Sequence, residues 1–298
     1  MRDAGLNKTH LEILKLVYLE EATVSQLAGV VHRSVSWTSG CVGHLVGMDL
    51  VAKRKRGLRV LVGPAPNEMA QSLAVLLVKA PMIDLSLVLD RSGLAIMLVL
   101  LAPGATTEEI SRQTGLSMPT IWHKIRLWRG MGIIMKIKGT GRYIMHPSQK
   151  ALKSFIVRYS RWRNGRTLAG SFPNALIIWQ WRDEYLFSIP ERRARPGLLS
   201  AGPTRLDELG YDIFHAQEYY LHHPGINKVS EGEALVQSLV IDPNNPRIAR
   251  FIREGIQRRG VNPRRLLMFG KKYGLKTVLT KVVEGLDRKE TVRVGGTG

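Results

Sequence analysis

Two groups of side chains in this sequence could do chemistry. The first lies in "DELGYDIFHAQEYYLHHPG", which brings His215, Glu218, His222 and His223 close together. On a helix His215, Glu218 and His222 would share a face, a spacing compatible with a metal ion. The same segment is rich in tyrosine, and histidines scattered among aromatics ordinarily serve packing, so neither a metal site nor a cofactor is expected. The second group is made of donors. "MPTIWHKIR" carries Met118, Thr120, Trp122, His123, Lys124 and Arg126, and "KRKRGLR" carries Lys53, Arg54, Lys55, Arg56 and Arg59. Side chains of this kind bind phosphate oxygens and base edges. Asp183–Glu184 and Asp207–Glu208 are adjacent carboxylates, which point apart on regular elements. The sequence has no phosphate-cradling G-x-x-x-x-G-K-S/T loop, no G-x-G-x-x-G, no H-E-x-x-H and no G-x-S-x-G, and an enzyme is not expected.

The composition agrees with a binding role. The chain has 298 residues with 44 Lys+Arg against 24 Asp+Glu, a formal net charge of +20, and a hydrophobic fraction of 44% that suffices for a real core. That excess points to a polyanion such as DNA, RNA or a membrane surface. A single cysteine, Cys41, rules out an intramolecular disulfide and a cysteine-based zinc site. The opening "MRDAGLNKTHLEIL" carries acids, a histidine and no long apolar run, so no signal peptide is expected. The longest uncharged apolar stretches, Ser92–Thr107 and Thr167–Trp181, fall short of the roughly 18 residues of a membrane span. A cytoplasmic, nucleoid-associated protein without membrane contact is the expectation.

The elements that position the donors are revealed by an internal repeat. Ala22–Pro64 lies over Ala105–Pro147 without a gap at a shift of 83 residues. The apolar positions match: Leu27 with Ile110, Thr38 with Ile121, Val42 with Ile125, Leu45 with Trp128, Leu50 with Ile133. In the second copy Thr106 or Thr107 caps a helix that carries Glu108 and Glu109 in its first turn and ends at Gly115. Ser117 caps the next helix, whose stripe Ile121, Ile125, Trp128 faces inward while Thr120, Trp122, His123, Lys124 and Arg126 face out. Trp122 either meets nucleic acid or packs under the hairpin. "IIMKIKGTGRYIM" then forms a hairpin with Lys136, Lys138 and Arg142. The first copy follows the same plan, with "NKTHLEILKLVYLEE" as opening helix, Ser34 as cap of a third helix poor in donors, and the basic hairpin "LVAKRKRGLRVLV". Helix, turn, helix and hairpin make a winged helix-turn-helix, present twice.

"ISRQTGLSMPTI" and "GMGIIMKIKGTGRYIM", and more loosely "SQLAGVVHRSVSWT" and "GMDLVAKRKRGLRVLV", resemble the winged-helix domains of MarR- and ArsR-type transcriptional regulators. The resemblance implies that the third helix enters the major groove of double-stranded DNA and the hairpin lies along the backbone or minor groove. Further on, "KVSEGEALVQSLV" and "VNPRRLLMFGKKYG" resemble the C-terminal region of AbiEi-type antitoxins, from which this chain departs by having two winged helices. That likeness implies a DNA-binding autorepressor whose C-terminal domain holds a toxin. Two rival readings use the same modules: a docking factor of the transcription machinery, and an RNA-binding protein whose basic C-terminal helices make the contacts.

The expected fold class is α+β, with a first winged helix over residues 1–66, a helical connector over 67–91, a second winged helix with a trailing basic helix over 92–164, and a smaller mixed α/β, mainly helical domain over 165–298. Asn67 should cap a connector helix over Glu68–Lys79 that Pro81 breaks. The connector is apolar enough to pack the modules together or to form a homodimer seam. "NGRTLAGSF" reads as a linker, "ALIIWQWRDEYLFSI" as a hairpin turning near Arg182–Asp183, "PERRARPG" as loop, "VSEGEALVQSLVI" as a helix boxed by Ser230 and Glu233, and "LKTVLTKVVEGL" as the last helix. Residues 81–165 hold 13 basic and 4 acidic groups, a more lopsided balance than the 10 and 6 of residues 1–80.

Overall fold

The computed structural model describes residues 5–101, 104–181, 184–190, 197–223 and 226–283. The fold is α+β, mostly helical with small antiparallel sheets. The chain divides into two compact units, Met1–Arg163 and Asn164–Gly298.

The first unit shows one element order twice. α1 (Lys8–Leu19), α2 (Val24–Val30) and α3 (Val35–Gly47) lead to an antiparallel pair, β1 (Val51–Arg56) with β2 (Arg59–Pro64). After α4 (Glu68–Lys79), α5 (Arg91–Leu100), α6 (Thr107–Thr114) and α7 (Met118–Gly130) lead to β3 (Ile134–Lys136) with β4 (Tyr143–Met145). α8 (Lys150–Ser171) follows. The shift of 83 residues carries Lys8 onto Arg91 and Val35 onto Met118, so the helices start in register. The caps repeat as well. Thr23 and Thr106 each close a capping box, with Gln26 and Glu109 returning a side-chain oxygen to the cap amide at 2.8 and 3.0 Å. Gly115 takes the left-handed conformation that ends α6. Ser34 accepts from the Trp37 amide, but Ser117 makes no such bond, because its hydroxyl pairs with that of Thr120 at 2.9 Å.

All five pairs of matched apolar positions are buried. All but Thr38 join one hydrophobic cluster that runs from Leu6 to Tyr159 and takes in Met69, Leu73 and Leu76 of α4, so the connector packs into the core shared by the two copies. α5 is the middle of that core: Gly93, Leu94 and Ile96–Leu100 are all buried, as they must be on a helix apolar all round. The segments ahead of α1 and α5 meet backbone to backbone. Leu6 N–H donates to the Leu89 carbonyl at 2.7 Å, and a Cβ on Gly5 would lie 1.9 Å from the Arg91 nitrogen.

The second unit holds a four-stranded antiparallel sheet in the order β5 (Leu176–Trp181), β6 (Glu184–Ile189), β8 (Glu218–His222), β7 (Leu199–Ser200). With it are α9 (Gly202–Glu208), α10 (Glu231–Ile241), α11 (Pro246–Arg259) and α12 (Pro263–Tyr273). Residues 276–283 are helical too. The turn expected at Arg182–Asp183, residues 191–196 of the expected loop and the end of the last expected helix lie outside the described residues. Three sequence expectations change. "NGRTLAGSF" is no linker: α8 continues to Ser171 because Leu168 is buried against the ring cluster of Phe187 and Tyr220. "EYYLH" is a strand, so Glu218 and His222 never share a helix face, and His222 stacks on Tyr185 at 4.7 Å. The box expected of Ser230 and Glu233 is only half made: Ser230 accepts the Glu233 amide at 3.3 Å, but the Glu233 side chain turns into a buried network instead of returning to the cap. Tyr273 OH donates to Glu233 Oε1 at 2.8 Å, Lys272 Nζ lies between Glu233 and Glu184 at 3.0 and 2.8 Å, and Gln237 binds both Tyr273 OH and the Gly202 amide.

One titratable pair sits in the first core. His10 is buried on α1, its Nδ1 accepts the Asn7 amide at 3.2 Å, and its ring stacks on His44 at 4.6 Å between centroids. Burial first, and the neighbouring His44 second, push its pKa down from 6.5 to about 4. Below pH 6.5 the unfolded chain therefore gains a proton that the folded chain refuses until about pH 4, and stability falls across that window. Urea unfolding should show wild type losing on the order of 2–3 kcal/mol between pH 7 and 4.5. His10→Gln, which keeps an acceptor for the cap, should lose clearly less; an equal loss in the variant would place the effect elsewhere.

Candidate nucleic-acid interface

The outer face of α7 is narrower than its sequence suggests. Trp122 is 49% exposed, so it does not pack under the hairpin, and His123 and Arg126 are exposed beside it. Arg129, one further turn along and equally exposed, belongs to the same face. Met118 is half-buried against the core and Thr120 is occupied by Ser117. Lys124 is a correction. The sequence pattern puts it on the outer face, but it lies three residues after Ile121 and four before Trp128, within the inward stripe, and is 7% exposed. Its Nζ reaches Asp90 Oδ2 and the Leu87 carbonyl, each at 2.7 Å, and lies 5.8 Å from the centre of the Trp128 ring. Asp90 in turn caps α5 by accepting the Gly93 amide at 2.7 Å. A charge that enters a core must find such partners.

The hairpins differ too. Arg142, expected as a free cation, is committed to the Gly104 carbonyl at 2.9 Å and to Glu109 Oε1 at 2.5 Å, which tethers the hairpin to α6. Lys136 is exposed with its Nζ 5.9 Å from the Tyr143 ring centre, and Lys138 is exposed. In the first copy the ladder leaves the core after Ala52, and every residue from Lys53 to Val60 is exposed. Arg54 is held by Glu21 at 2.7 Å. Lys53, Lys55, Arg56 and Arg59 carry no ion pair among the described residues. Arg56 pairs with Arg59, so the turn has two residues, Gly57 and Leu58, and Gly57 supplies the positive φ of +61° that its tight geometry requires.

α3 presents almost no side chain. Gly40 and Gly43 stand where α7 has His123 and Arg126, Gly47 stands where it has Gly130, and a Cβ at any of the three would meet open space. At the start of the helix Trp37 is 42% exposed with the Arg33 guanidinium 5.6 Å from its ring centre. Both residues line an open groove of about 950 Å³ with Ser25, Gly29, His32 and Val35. Sequence reasoning passed over Arg33 and Trp37. The repeat held the signal for one of them, since a shift of 83 carries Trp37 onto Thr120, already named for the outer face.

Among the described residues no helix is long and apolar enough to cross a membrane, and no group of three or more His, Cys, Asp or Glu is arranged to hold a metal ion. No protein-family model matches the chain, and no curated protein matches it significantly. The outer surface therefore speaks only through its geometry.

That geometry separates neighbours on α7. Lys124→Ala should lower the stability by about 1–3 kcal/mol, less than for a fully enclosed pair because Asp90 is itself partly exposed. His123→Ala and Arg126→Ala should stay within about 0.5 kcal/mol of wild type. Gly43→Ala should raise stability by roughly 0.5–1 kcal/mol, since it removes a helix glycine at a site with room for the methyl group. Thermal unfolding of the four variants checks all of these, and an unaffected Lys124→Ala would return Lys124 to the outer face.

Proposed function

We propose that the first unit is a pair of winged helix-turn-helix modules that binds double-stranded DNA, and that the chain is a transcriptional regulator. One observation carries the reading. In both copies the outer face of the third helix and the hairpin lie outside the shared core, and the cations there, Arg54 and Arg142 apart, carry no ion pair among the described residues. Those are the surfaces with which such a module meets the major groove and the phosphate backbone. The formal charge of +20 favours the same partner.

The two copies divide the work. The first hairpin supplies Lys53, Lys55, Arg56 and Arg59 beside a helix whose glycines let its backbone come close to a phosphate chain. This gives affinity without sequence information. The second copy supplies His123, Arg126 and Arg129 beside a hairpin with two free lysines, and its donors are the ones able to read base edges. Arg142, Arg54 and Lys124 drop out of the interface because their charges are already used inside the protein.

Affinity for a duplex should fall as salt rises, and binding indifferent to salt is incompatible with the proposal. Replacing Lys53, Lys55, Arg56 and Arg59 with alanine should weaken all duplexes alike and flatten the log–log salt slope by up to about 0.9 per lost phosphate contact. Replacing His123 and Arg126 should cost roughly 1–3 kcal/mol per lost base contact on a duplex selected for tight binding, with little change on random DNA. If both variants lose selected and random DNA in the same ratio, the division of labour is wrong. Structured RNA that competes better than duplex would favour RNA as the ligand.

A further inference from the structure

Leu58 is the most exposed of the large apolar side chains among the described residues, at 102% of its reference area. A lone exposed leucine is ordinary on a protein surface; its setting here is not. It is the second residue of a two-residue turn, so it stands at the very tip of the hairpin, where nothing else in its copy can cover it. Arg56 and Arg59 face each other across the ladder on either side of that turn, and Lys55 and Lys53 follow along β1. The tip is one apolar side chain inside a collar of unpaired cations. The second hairpin offers a control within the same molecule. Its turn is Lys138-Gly139-Thr140-Gly141, with Gly141 at the position equivalent to Leu58, and it has no apolar residue at its tip.

We propose that Leu58 is a wedge that enters between two base pairs from the minor groove and kinks the duplex; this rests on the duplex-binding reading above. The collar fits that groove, whose negative potential draws arginine. An aliphatic side chain pressed between base faces leaves water as it unstacks them. Burial of one leucine roughly offsets the unstacking of one step, so the wedge selects steps that are already weakly stacked: pyrimidine–purine steps, mismatches and bulges. The preference comes from deformability and needs no hydrogen bond to a base. A membrane surface is the less suitable partner, because a single leucine between two arginines offers too little apolar area to a bilayer and the hairpin carries no tryptophan or phenylalanine.

The test uses the full chain and two labelled duplexes of one arbitrary sequence, intact or with a central single-base bulge flanked by 2-aminopurine. Wild type should bind the bulged duplex about 5–10-fold more tightly and raise the 2-aminopurine fluorescence as the step opens. Leu58→Ser, at a site that touches nothing, should keep the wild-type unfolding temperature, the affinity for the intact duplex and its salt slope. It should lose both the preference and the fluorescence change. Arg56→Ala with Arg59→Ala should weaken both duplexes together. If Leu58→Ser keeps the preference, or if its main loss is in binding to anionic vesicles, the wedge is overturned. Salt-insensitive or absent binding to both duplexes by wild type would instead overturn the duplex reading, and the wedge with it.

Discussion

The first unit depends on the burial of α5. A helix with leucine, isoleucine, methionine and valine on all sides cannot face water, and neither repeat alone has enough surface to enclose it. As the opening helix of the second copy it occupies the place that α1 has in the first, yet α1 keeps a wet side and α5 does not. The consequence is a single apolar cluster for both copies, with α4 folded into it. What remains outside is decided by that requirement. The third helices keep their outer faces and the hairpins project, because the other faces are spent on the core.

Lys124 shows how the constraint reaches individual side chains. The equivalent residue in the first copy is Cys41, buried like Lys124 but neutral, in a repeat whose first helix is capped by Asn7 rather than Asp90. At the two equivalent positions the second copy holds aspartate where the first has asparagine and lysine where it has cysteine. The charge is thereby matched inside the core, and the ammonium also satisfies the Leu87 carbonyl just ahead of α5. A cation that looks available in the sequence is thus a fastening between α7 and α5.

Much of this was legible in the residues. The period of 83, the five matched apolar positions, the caps at Thr106, Asn67 and Ser230, the left-handed Gly115 and the helix over Glu68–Lys79 all follow from local rules, and the structure realises each of them. Lys124 is hard to place because its charged type argues for water while its helical position argues for the core; its repeat mate Cys41 carries the deciding signal. The commitments of Arg54 and Arg142 were not legible, since Glu21 and Glu109 are 33 residues away in each case and only the fold brings them within reach. α8 was cut short because Gly165 and Gly170 read as a linker, whereas the burial of Leu168 that holds the helix together is a tertiary effect. The helical spacing of His215, Glu218 and His222 carries no weight, because a five-residue strand with a histidine at its end fits that period as well as its own.

The two third helices, superposed by the repeat, hold complementary choices. α7 spends its outer face on indole, imidazole and guanidinium groups; α3 exposes glycine at the same positions and shifts its only aromatic, Trp37, to its start. Of the three glycines on the wet side of α3, Gly40 and Gly43 lie inside the helix and weaken it by roughly 0.5–1 kcal/mol each relative to alanine. No close contact among the described residues accounts for Gly40, Gly43 or Gly47. On the duplex-binding reading proposed above, the compensation comes from a phosphate chain that approaches α3 more nearly than side chains would allow. The hairpin that follows α3 carries the unpaired cations and the bare tip, so the copy with the smooth helix is also the copy with the long charged arm. On the same proposal, one module that hugs the backbone beside one that reads bases accounts for both departures from an exact repeat.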